Sequence, residues 1–383
     1  MIWIFRRNEY AQLLQAKSLW PVDPANEQDW SGRGQHAEFQ KHERKLINEL
    51  LELHDILGST RSAIVQSVKC RRILLARKTI PCGRRLTRAQ VIEEVAHLTR
   101  LNHAHILRVI GTYVVGKELS ILLYPVAEYN LDDFLSCFWN ATPTQHEWAS
   151  MSRSISRFYG CLSSALAHIH GCLTKHMDIK PQNILVRKTS SHSTFFGYNV
   201  YIADFGIAKS YDRQEAIETD GATAFTLKYA APEVVEQGPR GLPADIFSLG
   251  CVFLEIYTVT TDIDSEVHGS LGSRYDEICE RRRVDARQSS LQRLQQQLEQ
   301  DSCNGASYQA HIGAMVDHLN SLKYRPPSEF SCGFYRSDPR TRISLMISEE
   351  PSDRLTIGEL VSFFGTSHCC NGPTPPLEAF VPV

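Results

Sequence analysis

Residues 176–183 read His-Met-Asp-Ile-Lys-Pro-Gln-Asn. This segment places a carboxylate (Asp178), an ammonium group (Lys180) and a side-chain amide (Asn183) close together along the chain. Carboxylate and amide oxygens are the hard ligands that Mg²⁺ prefers, and a lysine ammonium is a compact positive charge that suits a phosphate group. So many chemically committed positions in one short segment indicate a site of chemistry.

Further motifs follow in a fixed order. Asp204-Phe205-Gly206 comes after the strand-like run 199–203, and later segments read TLKYAAPE (226–233), DIFSLG (245–250) and PSDRLT (351–356). Together with residues 176–183, these motifs resemble those of the eukaryotic protein kinases, with Phe247 where the family usually has tryptophan. The resemblance implies an α+β fold with two lobes: a small β-rich N-lobe with one key helix, and a larger, mainly helical C-lobe.

The resemblance assigns roles to the C-lobe residues. Asp178 would accept or orient the proton of the substrate hydroxyl, and Lys180 would place positive charge beside the transferred phosphoryl group. Asn183 and Asp204 would hold Mg²⁺. The Lys-Pro pair at 180–181 favours an enzyme that transfers the γ-phosphoryl group of ATP to a Ser or Thr hydroxyl of a protein substrate. Arg354 is expected to pair with Glu233 in a structural role.

The N-lobe resemblance supplies an ATP site. Lys78 resembles the lysine that contacts the α- and β-phosphates, and the helical apolar spacing of residues 87–101 provides a partner. Of two adjacent glutamates there, Glu94 fits the family's spacing better than Glu93. The remaining expected ATP contacts are Gly58, Val65, Ala76, Tyr124, Val126 and Leu185.

The glycine-rich loop departs from the family pattern, because residues 58–65 read GSTRSAIV and keep only the first glycine. Glycines let backbone N–H groups approach phosphate closely, so Thr60 and Ala63 predict a stiffer loop and weaker cover of the phosphates.

A second departure is Met177 in place of the family's arginine. That arginine often pairs with a phosphorylated activation segment, and methionine cannot make such a bond. We therefore expect activity that requires no phosphate on residues 207–225. Thr219 and Thr223 are interpreted as exposed loop residues rather than phosphorylation sites.

Two function classes stay open. The complete polar set Lys78, Glu94, Asp178, Lys180, Asn183 and Asp204 favours an active Ser/Thr protein kinase over a pseudokinase scaffold, which usually lacks at least one member. A small-molecule kinase on the same fold is disfavoured by residues 226–233, since that segment shapes peptide binding in the family.

Composition agrees with an intracellular protein, cytoplasmic or nuclear. The chain has 383 residues, 42% of them hydrophobic, and a formal charge of −2, which argues for neither nucleic acid nor membrane. Its 11 cysteines form no C-x-x-C pair, and with no secretory segment they indicate free thiols in a reducing compartment. No apolar run is expected to approach the length that spans a bilayer.

The expected organisation is an N-terminal extension (1–44), a kinase domain (45–365) with an N-lobe at about 45–124 and a C-lobe at about 125–365, and a flexible tail (366–383). The extension is either a partly ordered arm or a disordered tail. An insert at about 262–340 contains Leu291, Leu294 and Leu298 at helical spacing and the basic triplet 281–283. It is interpreted as an amphipathic helix on the C-lobe in preference to a docking helix for a partner or a short coiled coil. The triplet is interpreted as a solvated face in preference to a nuclear signal.

Overall fold

The computed structural model describes residues 9–60, 63–84, 86–140, 145–189, 197–211, 219, 225–269, 290–300, 307–322 and 338–370. These residues form two compact units. The N-terminal unit comprises the described residues up to Val126 together with Asp204–Gly206, and the C-terminal unit comprises those from Ala127 to Ala203 and from Ile207 onward.

The N-terminal unit is a six-stranded sheet with three helices. In spatial order the strands run β1-β5-β6-β4-β3-β2, with β1 parallel to β5 and the other neighbours antiparallel. The strands are β1 (His36–Phe39), β2 (Glu52–Ser59), β3 (Ile64–Cys70), β4 (Ile73–Pro81), β5 (Arg108–Val115) and β6 (Glu118–Tyr124), and the helices are α1 (Glu9–Ala16), α2 (Arg44–Leu50) and α3 (Arg88–Arg100).

The N-terminal extension contributes β1 to this sheet and packs Trp30 beside it. Trp30 is 1% exposed and its indole Nε1 donates to the Gln35 carbonyl at 2.9 Å. The Trp30 ring contacts Phe39 of β1 and Tyr113 of β5, with centroids 6.3 and 5.5 Å away. A side chain at Gly111 would collide with Gln35 and Trp30, so the glycine permits this close approach. Of the two interpretations left open by the sequence, the partly ordered arm agrees with the described residues 9–44.

Helix α3 begins where its sequence provides a cap. Thr87 Oγ1 accepts from the Gln90 backbone N–H at 3.3 Å, and the Gln90 side chain accepts from the Thr87 N–H at 2.9 Å. This reciprocal capping box satisfies two backbone donors that the first turn would otherwise leave without partners. The expected helix at 87–101 is therefore confirmed, and its buried face presents Glu94.

The C-terminal unit is mainly helical, so the α+β fold with a β-rich first unit is confirmed. Its helices are α4 (Leu131–Asn140), α5 (Gln145–Gly171), α6 (Pro232–Val235), α7 (Pro243–Gly269), α8 (Ser290–Gln300), α9 (Ile312–Ser321), α10 (Arg340–Met346) and α11 (Ile357–Phe364). Its strands are β7 (Tyr129–Asn130), β8 (Thr174–Lys175), β9 (Ile184–Lys188), β10 (Tyr198–Ile202) and β11 (Lys209–Ser210), paired as β10-β9-β7 and β11-β8.

One core helix corrects a sequence expectation. Residues Pro243–Thr261 of α7 form an apolar helical run of 19 residues with a mean hydropathy of 1.3, long enough by length and composition to cross a membrane. The expectation that no apolar run approaches that length was therefore wrong. In the fold, 94% of this run is buried, as a central helix of a globular core requires.

The insert is described in part. In α8, Leu294 and Leu298 are 2% and 0% exposed, and the helix packs against α7. The amphipathic interpretation is confirmed for this helix, because its apolar face is already covered within the unit. The basic triplet 281–283, Thr223, the residues from 371 onward and most of the rest of the insert lie outside the described residues. Of the expected tail, residues 366–370 are described, and Cys370 is buried there.

Candidate active site

One buried carboxylate, that of Asp245, binds the backbone at the start of the segment 176–183. Asp245, at the start of α7, accepts the backbone N–H groups of His176 at 2.9 Å and Met177 at 2.8 Å, and contacts His170 Nε2 at 3.1 Å. Burial alone would raise the pKa of Asp245, but the His170 hydrogen bond and the nearby His176 outweigh it and lower that pKa, so the carboxylate stays charged. Asp245 is the first residue of the motif 245–250, but the sequence does not reveal this role, because the backbone donors that it binds leave no signal there.

Asp178, Lys180, Asn183 and Thr226 form one polar network. Lys180 Nζ lies 2.7 Å from Asp178 Oδ2 and 2.7 Å from Thr226 Oγ1, and the Thr226 hydroxyl donates to Asp178 Oδ1 at 2.7 Å. Asn183 Nδ2 donates to Asp178 Oδ2 at 2.8 Å and to its carbonyl at 2.9 Å. These bonds fix the orientation of the Asp178 carboxylate. Because the Asn183 amide nitrogen donates to Asp178, the Asn183 amide oxygen points away from Asp178.

His176 connects this network to the chain that precedes Asp204. Its Nδ1 accepts the Asp178 backbone N–H at 3.3 Å, which places the ring proton on Nε2, and Nε2 donates to the Ala203 carbonyl at 3.1 Å. The ring is fully buried. Both ring nitrogens serve backbone groups, so the histidine has a structural role and is not a candidate metal ligand.

The N-terminal unit brings Lys78, Glu94 and Asp204 together. Lys78 Nζ lies 2.7 Å from Glu94 Oε1 and 3.0 Å from Asp204 Oδ1. Burial by itself would lower the pKa of Lys78, but the two carboxylates outweigh it and raise that pKa, so the ammonium stays charged. Asp204 has a φ of 63°, a conformation that costs energy for a residue other than glycine and is concentrated at functional sites. Glu93 contacts Lys17 instead, at 2.6 Å, so the choice of Glu94 is confirmed.

The described residues of the hairpin between β2 and β3 bond to one another. Gly58 pairs with Val65, and the Thr60 N–H donates to the Ala63 carbonyl at 2.8 Å. The Ala63 N–H donates in return to Thr60 Oγ1 at 3.1 Å. This turn therefore uses two of the N–H groups that a glycine-rich loop would offer to phosphate. That use agrees with the expectation that the loop covers the phosphates less well.

The other expected ATP contacts are divided between the two units. Ala76 of β4 pairs with Leu123 of β6, and Leu185 of β9 pairs with Tyr201. Tyr124 ends β6 and packs against the buried cluster around Trp30, and Val126 is the last residue of the N-terminal unit. Of the two expected Mg²⁺ ligands, Asn183 belongs to the C-terminal unit, as does Leu185, and Asp204 belongs to the N-terminal unit.

The expected structural ion pair is present. Arg354 donates to both oxygens of Glu233, at 2.7 and 2.8 Å, and its side chain is fully buried. Further bonds from Arg354 reach the carbonyls of Ser348, Pro243 and Glu349. This bidentate pair ties α6 to the segment before α11 and confirms the prediction from residues 351–356.

Comparison with known proteins agrees with the geometry. The family model described as protein kinase domain matches residues 51–363. Mitogen-activated protein kinase kinase kinase 6 of Homo sapiens is 31% identical over 255 residues, which are 65% of this chain and 18% of that protein. Cyclin-dependent kinase 4 of Mus musculus is 29% identical over 169 residues, which are 43% of this chain and 51% of that protein. The chain belongs to the protein kinase family.

The matched relatives extend well beyond the region that they share with this chain. The matched segments span 18% of the human relative and 11% of mitogen-activated protein kinase kinase kinase 15 of Mus musculus, which is 33% identical over 171 residues. The shared part is the kinase domain, so the names of these relatives identify a common catalytic fold.

Proposed function

We propose that this chain is a Ser/Thr protein kinase that transfers the γ-phosphoryl group of ATP to a hydroxyl of a protein substrate. The proposal rests on one observation above the others, the network of Asp178, Lys180 and Thr226. A hydroxyl group, that of Thr226, already donates to the Asp178 carboxylate within reach of the Lys180 ammonium. A substrate hydroxyl bound beside it would meet the same acceptor and the same positive charge.

In this proposal each polar group has a distinct task. Asp178 accepts or orients the proton of the attacking hydroxyl, and Lys180 stabilises negative charge that develops on the transferred group. Lys78, held charged by Glu94 and Asp204, binds the α- and β-phosphates. Most of the catalysis is then positioning and charge stabilisation rather than covalent chemistry.

The donor atoms present fit Mg²⁺, which kinases typically use with ATP. The Asp204 side chain is 47% exposed, and Asn183 turns its amide oxygen away from Asp178. Both groups are hard oxygen donors of the kind that bind Mg²⁺ through one or two protein ligands plus substrate phosphates. When bound, the ion would neutralise phosphate charge, and each of these two residues would offer it one oxygen.

The test measures transfer of phosphate from Mg·ATP to a generic Ser/Thr substrate by the full chain, beside Asp178→Asn and Lys78→Met. Asp178→Asn keeps the shape of the side chain and removes its charge, so transfer is expected to fall at least a hundredfold while nucleotide binding persists. Lys78→Met is expected to weaken nucleotide binding as well, because it removes the charge that contacts the phosphates.

The alternative is a scaffold protein that binds nucleotide without transferring phosphate, or that binds none. The observation in its favour is the pair of hydrogen bonds between Thr60 and Ala63 in the hairpin, which occupy N–H groups that phosphate would need. No transfer by the wild type, with ATP still raising the melting temperature, would establish a nucleotide-binding scaffold. No transfer and no thermal shift would exclude ATP as a ligand. Phosphorylation of a small molecule without any protein substrate would show that the chain is a small-molecule kinase.

We further propose an intracellular location, cytoplasmic or nuclear, with neither nucleic acid nor membrane as a partner. The formal charge of −2 and the free cysteines among the described residues support this. Fractionation of cells that express the tagged chain tests it, and recovery with membranes or outside the cell would contradict it.

A further inference from the structure

Three cysteine thiols meet in the C-terminal unit, and none of them belongs to the candidate active site. Cys161 lies in α5, and Cys369 and Cys370 follow α11 in a short 3-10 helix, His368–Cys370. Cys161 Sγ lies 3.6 Å from Cys369 Sγ and 3.8 Å from Cys370 Sγ, and the three sulfurs lie within 4.8 Å of one another. These distances are those of hydrogen-bonded sulfurs rather than of a disulfide bond. We call this group the thiol cluster.

Two glycines bring the thiols together. Helix α11 ends at Gly365, whose φ of 71° lies in the left-handed region that favours glycine and turns the chain back. Gly160 precedes Cys161, and a side chain there would collide with the Gly365 carbonyl. The segment 365–370 therefore lies directly on α5 because neither glycine has a side chain.

The spacing of the sulfurs matches that of a metal-thiolate site. Zinc binds cysteine sulfur at about 2.3 Å in tetrahedral geometry, which places neighbouring sulfurs about 3.8 Å apart. The observed 3.6 and 3.8 Å agree with this edge length. Soft thiolate ligands select zinc over magnesium or calcium, which prefer oxygen.

The surroundings of the cluster also suit a buried metal site. Cys161 and Cys370 are 3% and 9% exposed. The Ser367 backbone N–H donates to Cys370 Sγ at 3.4 Å, a contact that supports a negatively charged sulfur.

We propose that the thiol cluster binds one zinc ion through Cys161, Cys369 and Cys370 as a structural site. Each thiol loses its proton to solvent as its sulfur bonds the ion, and no electron is transferred. Water or another donor completes the tetrahedron. The site fastens the segment after α11 to α5, and it is independent of phosphoryl transfer.

The test uses the full chain without a polyhistidine tag, purified after expression with zinc chloride and analysed for metal by mass spectrometry. The wild type is expected to hold about one zinc per chain, and Cys161→Ser and Cys370→Ser much less, since structural zinc needs its full set of ligands. Cys82→Ser is the matched control, because Cys82 is a free, half-buried cysteine outside the cluster, and it should keep the zinc.

A second measurement does not depend on the variants folding. Cobalt exchanged into the wild type should give the near-ultraviolet charge-transfer absorption of thiolate–cobalt bonds, and zinc added afterwards should abolish it. Wild type without zinc and without this absorption would overturn the proposal. Equal zinc in all four proteins would overturn it too, as would a Cys161–Cys369 disulfide in freshly purified protein.

Discussion

The ammonium group of Lys175 lies 2.9 Å from the hydroxyl of Thr219, and the Lys175 side chain is fully buried. The same Nζ donates to the Arg240 carbonyl at 3.1 Å and lies 5.0 Å from the centre of the Tyr211 ring. Thr219 and Arg240 also pair through their backbones, at 3.0 and 2.8 Å. Thr219 is therefore half-buried and bonded, which differs from its interpretation as an exposed loop residue.

This contact predicts how activity responds to Lys175. Met177 stands in place of the family's arginine, which would bind a phosphate on the segment 207–225. Lys175, two positions earlier, instead binds Thr219, an unmodified threonine of that segment. We expect Lys175→Met to reduce phosphoryl transfer severalfold and to lower stability by about 1–3 kcal/mol, because buried acceptors lose their donor. Transfer assays and urea unfolding measure the two effects.

The control for this variant is Lys209→Met, since Lys209 pairs with Lys175 through the backbone but exposes its side chain. We expect that variant to resemble the wild type. Treatment of the wild type with phosphatase should leave activity unchanged. Activity lost on that treatment and restored by rephosphorylation would refute both the role of Lys175 and the expectation drawn from Met177.

A second prediction concerns the hairpin turn. Thr60→Gly removes the hydroxyl that accepts the Ala63 N–H and so frees that group for phosphate. A hydrogen bond to a charged group contributes about 1.5–3 kcal/mol and glycine costs about 0.5–1 kcal/mol, so we expect ATP to bind roughly fivefold more tightly.

Thr60→Ser keeps the hydroxyl and is the matched control for the turn. Calorimetric titration with Mg·ATP measures all three proteins. Glycine and serine variants of equal affinity would show that the Thr60 hydroxyl does not limit nucleotide binding.

A third prediction concerns pH. His36 of β1 contacts Thr112 Oγ1 at 2.7 Å, and burial lowers the pKa of His36 to about 4. The unfolded chain therefore binds a proton at a higher pH than the folded chain does. The stability that this histidine contributes is fully present above about pH 6.5 and is lost as the pH falls toward 4, by about 3 kcal/mol in total.

Other groups also titrate in that window, so the difference from His36→Gln isolates this histidine. Glutamine keeps a polar group toward Thr112 and does not titrate. Urea unfolding between pH 4.5 and 7.5 should show a steeper loss for the wild type, and parallel curves would contradict the expected shift.

A fourth prediction tests how the N-terminal extension is attached. Gly111→Ala would drive a methyl group into Gln35 and Trp30, so the extension should detach or the sheet should shift, at a cost of about 1–3 kcal/mol. Gly83→Ala is the control, because a side chain there meets open space. Limited proteolysis should cleave residues 9–40 faster in the first variant alone.

The polar groups of the candidate active site could be named from sequence because phosphoryl transfer restricts the residue types. The resemblance to protein kinases paired Lys78 with Glu94 and matched Arg354 to Glu233 across 121 positions. These contacts depend on chemistry that few side chains supply, so the residues that make them can be recognised in the sequence by their type and spacing.

What the sequence did not reveal depends on packing. Trp30 lies in a segment without helical or strand periodicity, and its burial depends on the empty space beside Gly111. Lys175 reads as an ordinary charged residue until the fold surrounds it with acceptors. Cys161 and Cys369 are 208 positions apart, and only the turn at Gly365 brings their sulfurs together.

The parallel pairing of β1 with β5 has a consequence for how the domain behaves when it is shortened. The family match begins at residue 51, whereas β1 covers β5 with residues 36–39. In a chain trimmed to residues 51–363, β5 would become an unpaired edge strand of the sheet. The apolar surface that Trp30 covers beside it would be exposed. Unpaired strand edges recruit strands from other molecules, so that fragment should self-associate and precipitate where the longer chain stays monodisperse.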